Sequence, residues 1–401
     1  MTTTVDGVNP DPTPPTPPTR SAGLPRWSLA VPLLALVVLM LSWGREPGTI
    51  MLILICAGLG SAVIAAVHHA EVVAHRVGEP FGTLILALAV TVIEVALIVT
   101  LMASGGDKAA SLARDTVFAA VMITCNGILG LSLVVGSLRH KTQEFRVHAS
   151  GSALAVMTAL VTLSLVLPTF TTSTPGATFS GPQLAFAGVT SLVMYGVFVF
   201  VQTIRHRDYF LPNADPSVDP TARAAREAEA AGLADSDGDG EDDSHADAPS
   251  SKIALLSLAL LFGCLIAVVG LAKTVSPKLE SAVESAGAPL AVVGVVIALL
   301  VLLPETVAAV RAALRNRLQT SLNLALGSAL ASIGLTIPAI AIASIWLTGP
   351  LVLGLDSKEL VLFVLTVVVS MLTLATGRAT LLQGAVHLMI FSSFLFLAIS
   401  P

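Results

Sequence analysis

Two acidic residues stand where acids are costly. Glu94 lies inside GTLILALAVTVIEVALIVTLM and Glu305 inside VVIALLVLLPETVAAV. A carboxylate near the centre of a bilayer costs roughly 2.5–3.5 kcal/mol on insertion scales, so it faces a cavity or a partner. Hard cations take oxygen ligands, and a carboxylate also takes a proton. Two carboxylates facing each other in a low dielectric repel, and a cation placed between them displaces protons. The chemistry open to this pair is competition between a cation and protons for the same oxygens. Pro304 removes a backbone donor beside Glu305 and leaves a carbonyl one turn earlier without its partner, a further oxygen for a cation. Thr91, Thr306, Asn126, Ser328 and Ser332 are oxygen-bearing residues in related segments. The plainer alternative is that each Glu is hydrogen-bonded to such a neighbour, and that the small residues serve close helix packing.

The pair recurs in a pattern. Glu71 is followed by Gly78-Glu79-Pro80 and then by Glu94, while Glu284 is followed by Gly287-Ala288-Pro289 and then by Glu305. The separations are 23 and 21 residues. The next apolar segment of each unit is small and polar, with Thr124-Cys125-Asn126-Gly127 in one and Gly327-Ser328-Ala329-Leu330-Ala331-Ser332 in the other. Five spans separate the units, so they enter the membrane from opposite sides. That is an inverted repeat, the construction of many secondary transporters.

Membrane helices must position these groups. The chain has 401 residues, 54% hydrophobic and 12% charged, with a mean hydropathy of +0.86. A soluble chain carries about twice that charge. Apolar runs fall at 28–44, 50–67, 82–103, 115–138, 149–170, 183–204, 253–273, 289–311, 320–346, 359–376 and 380–399, which predicts eleven spans. Residues 1–26 form a Pro-rich tail, 27–204 an N-terminal transmembrane half, 205–252 an acidic loop, and 253–401 a C-terminal transmembrane half. No cleavable signal peptide is evident. With the N-terminus inside, Lys and Arg divide ten to six in favour of the inner segments, leaving out the long acidic loop. This places the N-terminus and the acidic loop in the cytoplasm and the C-terminus outside.

These residues resemble the cation/proton exchanger family of the calcium/cation antiporter superfamily, in its bacterial branch. The run HHAEVVAHRVGEPFGTLILALAVTVIEVALI looks like the first repeat motif of that branch, and LPETVAAVRAALRNRLQTSLNLALGSALASIGLTIP looks like its second. The resemblance implies an all-α polytopic protein of the cell membrane, with two inverted five-helix repeats and one extra N-terminal helix. It implies that Glu94 and Glu305 bind the transported cation and protons, joined by Asn126, Gly327, Ser328 and Ser332. Glu71 and Glu284 would flank the access pathways, with Glu79 and Glu280 beside them. Ca²⁺ is the first candidate ion. Where the wider family has Gly-Asn before each glutamate, this chain has Val90-Thr91 and Val301-Leu302. Na⁺ and K⁺ therefore stand as alternatives.

The expected partners are the lipid bilayer, inorganic cations and protons. No prosthetic cofactor and no nucleic acid are implied, and the oligomeric state is not readable. A passive channel and an intramembrane enzyme are the alternative classes. The repeated mid-membrane acids favour an exchanger over the first, and no Ser/His pairing supports the second. DSDGDGEDDSHA opens like a calcium loop, but position twelve is Ala246 where a bidentate Glu is needed, so it reads as a solvated acidic run. His68, His69 and His75 read as interface histidines, with proton entry as the alternative. His387 reads as a satisfied packing histidine.

Overall fold

The computed structural model describes residues 24–78, 81–105, 109–205, 249–346 and 349–400. Twelve helices run through them. They are α1 (Arg26–Ser42), α2 (Thr49–Val77), α3 (Phe81–Gly105), α4 (Leu112–His140), α5 (Val147–Phe170), α6 (Gly181–Arg205), α7 (Ser251–Ser285), α8 (Ala291–Val301), α9 (Leu303–Leu314), α10 (Leu318–Ala343), α11 (Ser357–Ala375) and α12 (Leu381–Ile399). Local chemistry sets several of the boundaries. At the starts of α6, α11 and α12 the third-residue side chain reaches back to the cap N–H: Gln183 to Ser180 at 2.9 Å, Glu359 to Asp356 at 3.0 Å and Gln383 to Thr380 at 2.9 Å. Helices α2 and α7 outrun their expected spans, which ended at 67 and 273. They continue to Gly78 (φ 78°) and nearly to Gly287 (φ 68°), where a left-handed residue turns the chain away. The two glycines are the equivalent positions of the repeat.

By length and composition, eight single helices can cross a membrane among the described residues, and one bent pair makes a ninth. The 17 residues of α1 and the apolar stretch Ala87–Ala103 of α3 are shorter than the other spans. Of the eleven expected spans, nine are thus matched by eight helices and one broken span, and the other two, 28–44 and 82–103, fall on α1 and α3. The broken span corrects the sequence reading most. Residues 289–311 were expected as one helix with Glu305 inside it. Instead α8 ends at Val301, α9 begins at Leu303, and their axes differ by 53°. Proline fits the first turn of a helix better than its interior, so Pro304 opens α9 and leaves Glu305 in that first turn.

Helices α4 and α10 are the central pillars. Of their most apolar windows 89% and 61% is buried, and none of the other six single spans exceeds 44%. They are the equivalent third helices of the two repeats, which explains their small, polar character. The units interlock crosswise: α3 packs on α10, α8 packs on α4, and α2 lies along α7. Within α4 the hydrogen bonding widens to a π turn over Ile123–Ile128. A two-residue antiparallel pairing, β1 (Gln143–Glu144) with β2 (Arg378–Ala379), ties the α4–α5 and α11–α12 connections together. Large apolar side chains such as Met40, Ile50, Trp346 and Met389 face outward, as lipid-facing positions must.

Candidate cation site

Glu94 sits on α3 and is 3% exposed. Ser332 Oγ, on α10, donates to its Oε1 at 2.7 Å. Thr336 lies one turn further along α10 and faces the same carboxylate, although its hydroxyl makes no hydrogen bond of good geometry. Glu305 is half-buried. Its Oε2 is sealed from solvent without a hydrogen-bond partner, and its carboxylate lies beside its own backbone N–H. The first turn of a helix offers free N–H groups and a positive dipole end, which suit an anion there. Both Glu94 and Glu71 act electrostatically on Glu305. Three carboxylates from α2, α3 and α9 therefore share one region. Among the described residues, no three His, Cys, Asp or Glu side chains stand close enough to chelate one ion. The acids are within electrostatic range rather than closed on a common centre.

The other expected site residues divide. Glu71 is exposed on α2 and acts electrostatically on the half-buried Glu305. Thr91 Oγ1 donates to the Ala87 carbonyl at 2.9 Å, and Thr306 Oγ1 to the Leu302 carbonyl at 2.7 Å. Both hydroxyl protons are spent within their own helices. Ser328 is half-buried on α10, one turn before Ser332. Asn126 lies in the π turn of α4, and its carboxamide bonds to Thr366 and His387 rather than to either glutamate. Glu280 and Glu284 fall near the end of α7. Glu79 and the acidic run after Asp208 lie outside the described residues.

Sequence reasoning missed Thr336, although its spacing of four from Ser332 puts it on the same helix face. It also missed the polar chain through Asn126, His387, Thr366 and Thr373, whose members come from three helices. His387 is fully buried and hydrogen-bonded at both ring nitrogens, so it is a satisfied histidine as expected. His69 is buried, with Nε2 2.9 Å from the Ser28 carbonyl, and His68 lies 4.9 Å from the Trp27 ring. These two histidines fasten α1 to α2.

A second charged group lies at the start of α4. Arg114, 7% exposed, donates from Nε to Asp115 at 2.8 Å and from Nη1 to the Gly354 carbonyl at 3.0 Å. Asp356 and Glu359 complete the cluster at 3.4 and 3.9 Å. One guanidinium thus binds the start of α4 to the start of α11.

A broken helix, a partner-poor carboxylate at the break and a crosswise repeat define a class of membrane transporter. The chain belongs to the sodium/calcium exchanger protein family, whose model matches residues 47–204 and 256–400. It is a multi-pass cation antiporter, a secondary transporter and not an enzyme. It is 49% identical over 386 residues to y4hA of Sinorhizobium fredii, an ionic transporter by name, covering 95% of this chain and 98% of that one. It is 36% identical over 372 residues to the sodium-potassium/proton antiporter ChaA of Escherichia coli, covering 92% and 94%. In fold it matches the solved structure of native YfkE with a TM-score of 0.65 at 17% identity, over 94% of this chain and 99% of that one. The H⁺/Ca²⁺ exchanger CAX follows at 0.61 and 14%, over 92% and 87%.

Proposed function

We propose that the protein exchanges a cation for protons, with both competing for Glu94 and Glu305. The supporting observation is the unequal pair: Glu94 is buried and held by Ser332, while Glu305 keeps a sealed, unpartnered oxygen within reach of the charge on Glu94. Such an oxygen is costly unless a proton or a cation satisfies it. Glu71 lies on the pathway to Glu305. Alternating access follows if the helices close around the pair only when it is neutralised by cation or protons.

On charge, two ionised glutamates match one Ca²⁺, the ion put first by the sequence. A second reading, Na⁺ or K⁺, is favoured by the small oxygen supply around the pair and by the name of the Escherichia coli relative. The excess of basic residues on one set of connections supports a cytoplasmic N-terminus and acidic loop. The test is purified protein in liposomes with a trapped pH dye and an imposed pH gradient. Proton movement driven by Ca²⁺, Na⁺ or K⁺ is expected. Cation flux without proton movement would instead mean a channel.

A further inference from the structure

The Asn126 carboxamide is held at both ends, with its NH₂ also 3.8 Å from Met122 Sδ. Thr366 Oγ1 donates to the Leu362 carbonyl at 2.7 Å, so its 2.9 Å contact with Asn126 must accept the Asn126 NH₂. That puts the Asn126 carbonyl oxygen on the other side, 3.1 Å from His387 Nδ1. His387 Nδ1 therefore carries the proton. Its Nε2 accepts from Thr373 Oγ1 at 3.1 Å. All four side chains are buried, the most exposed at 2%. The backbone is shaped to allow this. A Cβ on Gly130 would lie 2.9 Å from His387 Cβ, and one on Gly384 would lie 2.7 Å from the Val134 nitrogen. Helices α4 and α12 thus meet backbone to backbone, which brings the imidazole to the π turn.

The π turn packs on α10, which carries Ser332, and on α9, which carries Glu305. Asn126 lies in that turn, and His387 holds its carbonyl oxygen. Ca²⁺ takes about six to eight oxygen ligands, so a site poorer by one carbonyl penalises it most. We propose that His387 is a specificity-determining residue, keeping the Asn126 carbonyl oxygen out of the cation site and weighting the exchanger toward Na⁺ or K⁺ over Ca²⁺. This rests on the cation/proton antiport reading.

The test compares apparent KM values for Ca²⁺ and Na⁺ in liposomes with a pH dye. His387→Leu frees the carbonyl and should raise the preference for Ca²⁺ over Na⁺ about tenfold, the lower end of what changing a ligand's partner does to metal affinity. His387→Asn keeps a donor at the Nδ1 position and should retain the wild-type ratio. Adding Asn126→Ala to His387→Leu should cancel the gain. An unchanged ratio in His387→Leu, with both rates falling together, would mean that the network only holds helices and would overturn the proposal. So would a His387→Asn protein shifted as far as His387→Leu. Should His387→Leu fail to fold, ¹⁵N-histidine NMR of the wild type decides. The Nδ1–H tautomer of His387 should persist at saturating Na⁺, and its loss would overturn the proposal. A wild type that moves no protons with any cation would defeat the antiport reading itself, a result distinct from an unchanged ratio.

Discussion

Removing the hydroxyl that holds Glu94 should weaken cation binding by a predictable amount. Ser332 donates to a carboxylate that is 3% exposed, at 2.7 Å. A hydrogen bond to a charged group contributes about 1.5–3 kcal/mol, and about 1.4 kcal/mol is tenfold in affinity. Thr336 faces the same carboxylate one turn away with an unused hydroxyl, so it can turn and replace part of the loss. Ser332→Ala should therefore raise the apparent KM for the cation about tenfold, the lower end of that range. The double variant Ser332→Ala/Thr336→Val should approach about a hundredfold. Maximal rate should change little, because an interaction common to bound and transition states sets KM alone. Initial rates of cation-driven proton movement in liposomes, measured across cation concentrations, give both parameters. A double variant with a wild-type KM would refute the reasoning, since Glu94 would then not depend on α10.

Other expectations follow from packing and charge. Gly384→Ala places a carbon 2.7 Å from the Val134 nitrogen, and such overpacking should cost about 1–3 kcal/mol, visible as a lower thermal midpoint in detergent. Arg114→Met strands Asp115 and Glu359 without their cation. A loss of about 3–5 kcal/mol is expected for breaking a buried pair, again read as thermal midpoint, and Arg114→Lys should recover part of it. Gly240→Cys in the acidic run should react with a membrane-impermeant maleimide in inside-out vesicles and not in intact cells, and the reverse pattern would invert the orientation.

The parts of this design that depend on local sequence were legible in it. A glutamate in an apolar run is visible without a structure, and Gly78 and Gly287 mark the turn after each first helix because backbone conformation is a local property. Tertiary choices were not legible. Asn126, Ser328 and Ser332 looked alike as oxygen donors. Only the packing of α3 on α10 gives Ser332 to Glu94, and only the close approach of α12 gives Asn126 to His387. The same Pro304 signal was compatible with a kinked helix or with two helices, and the 53° break decided for two. The Arg114 cluster escaped notice because two of its acids, Asp356 and Glu359, lie some 240 residues away in the chain.

The central claim is that cation and protons compete for Glu94 and Glu305, and proton release on cation binding tests it most directly. Detergent-solubilised protein in weak buffer would be titrated with Ca²⁺, Na⁺ or K⁺ while a pH electrode records released protons. Wild type should release protons in step with cation binding, Glu94→Gln and Glu305→Gln should each release fewer, and the double variant should release none. Undiminished release from the double variant, or cation binding to wild type with no release at all, would contradict the account.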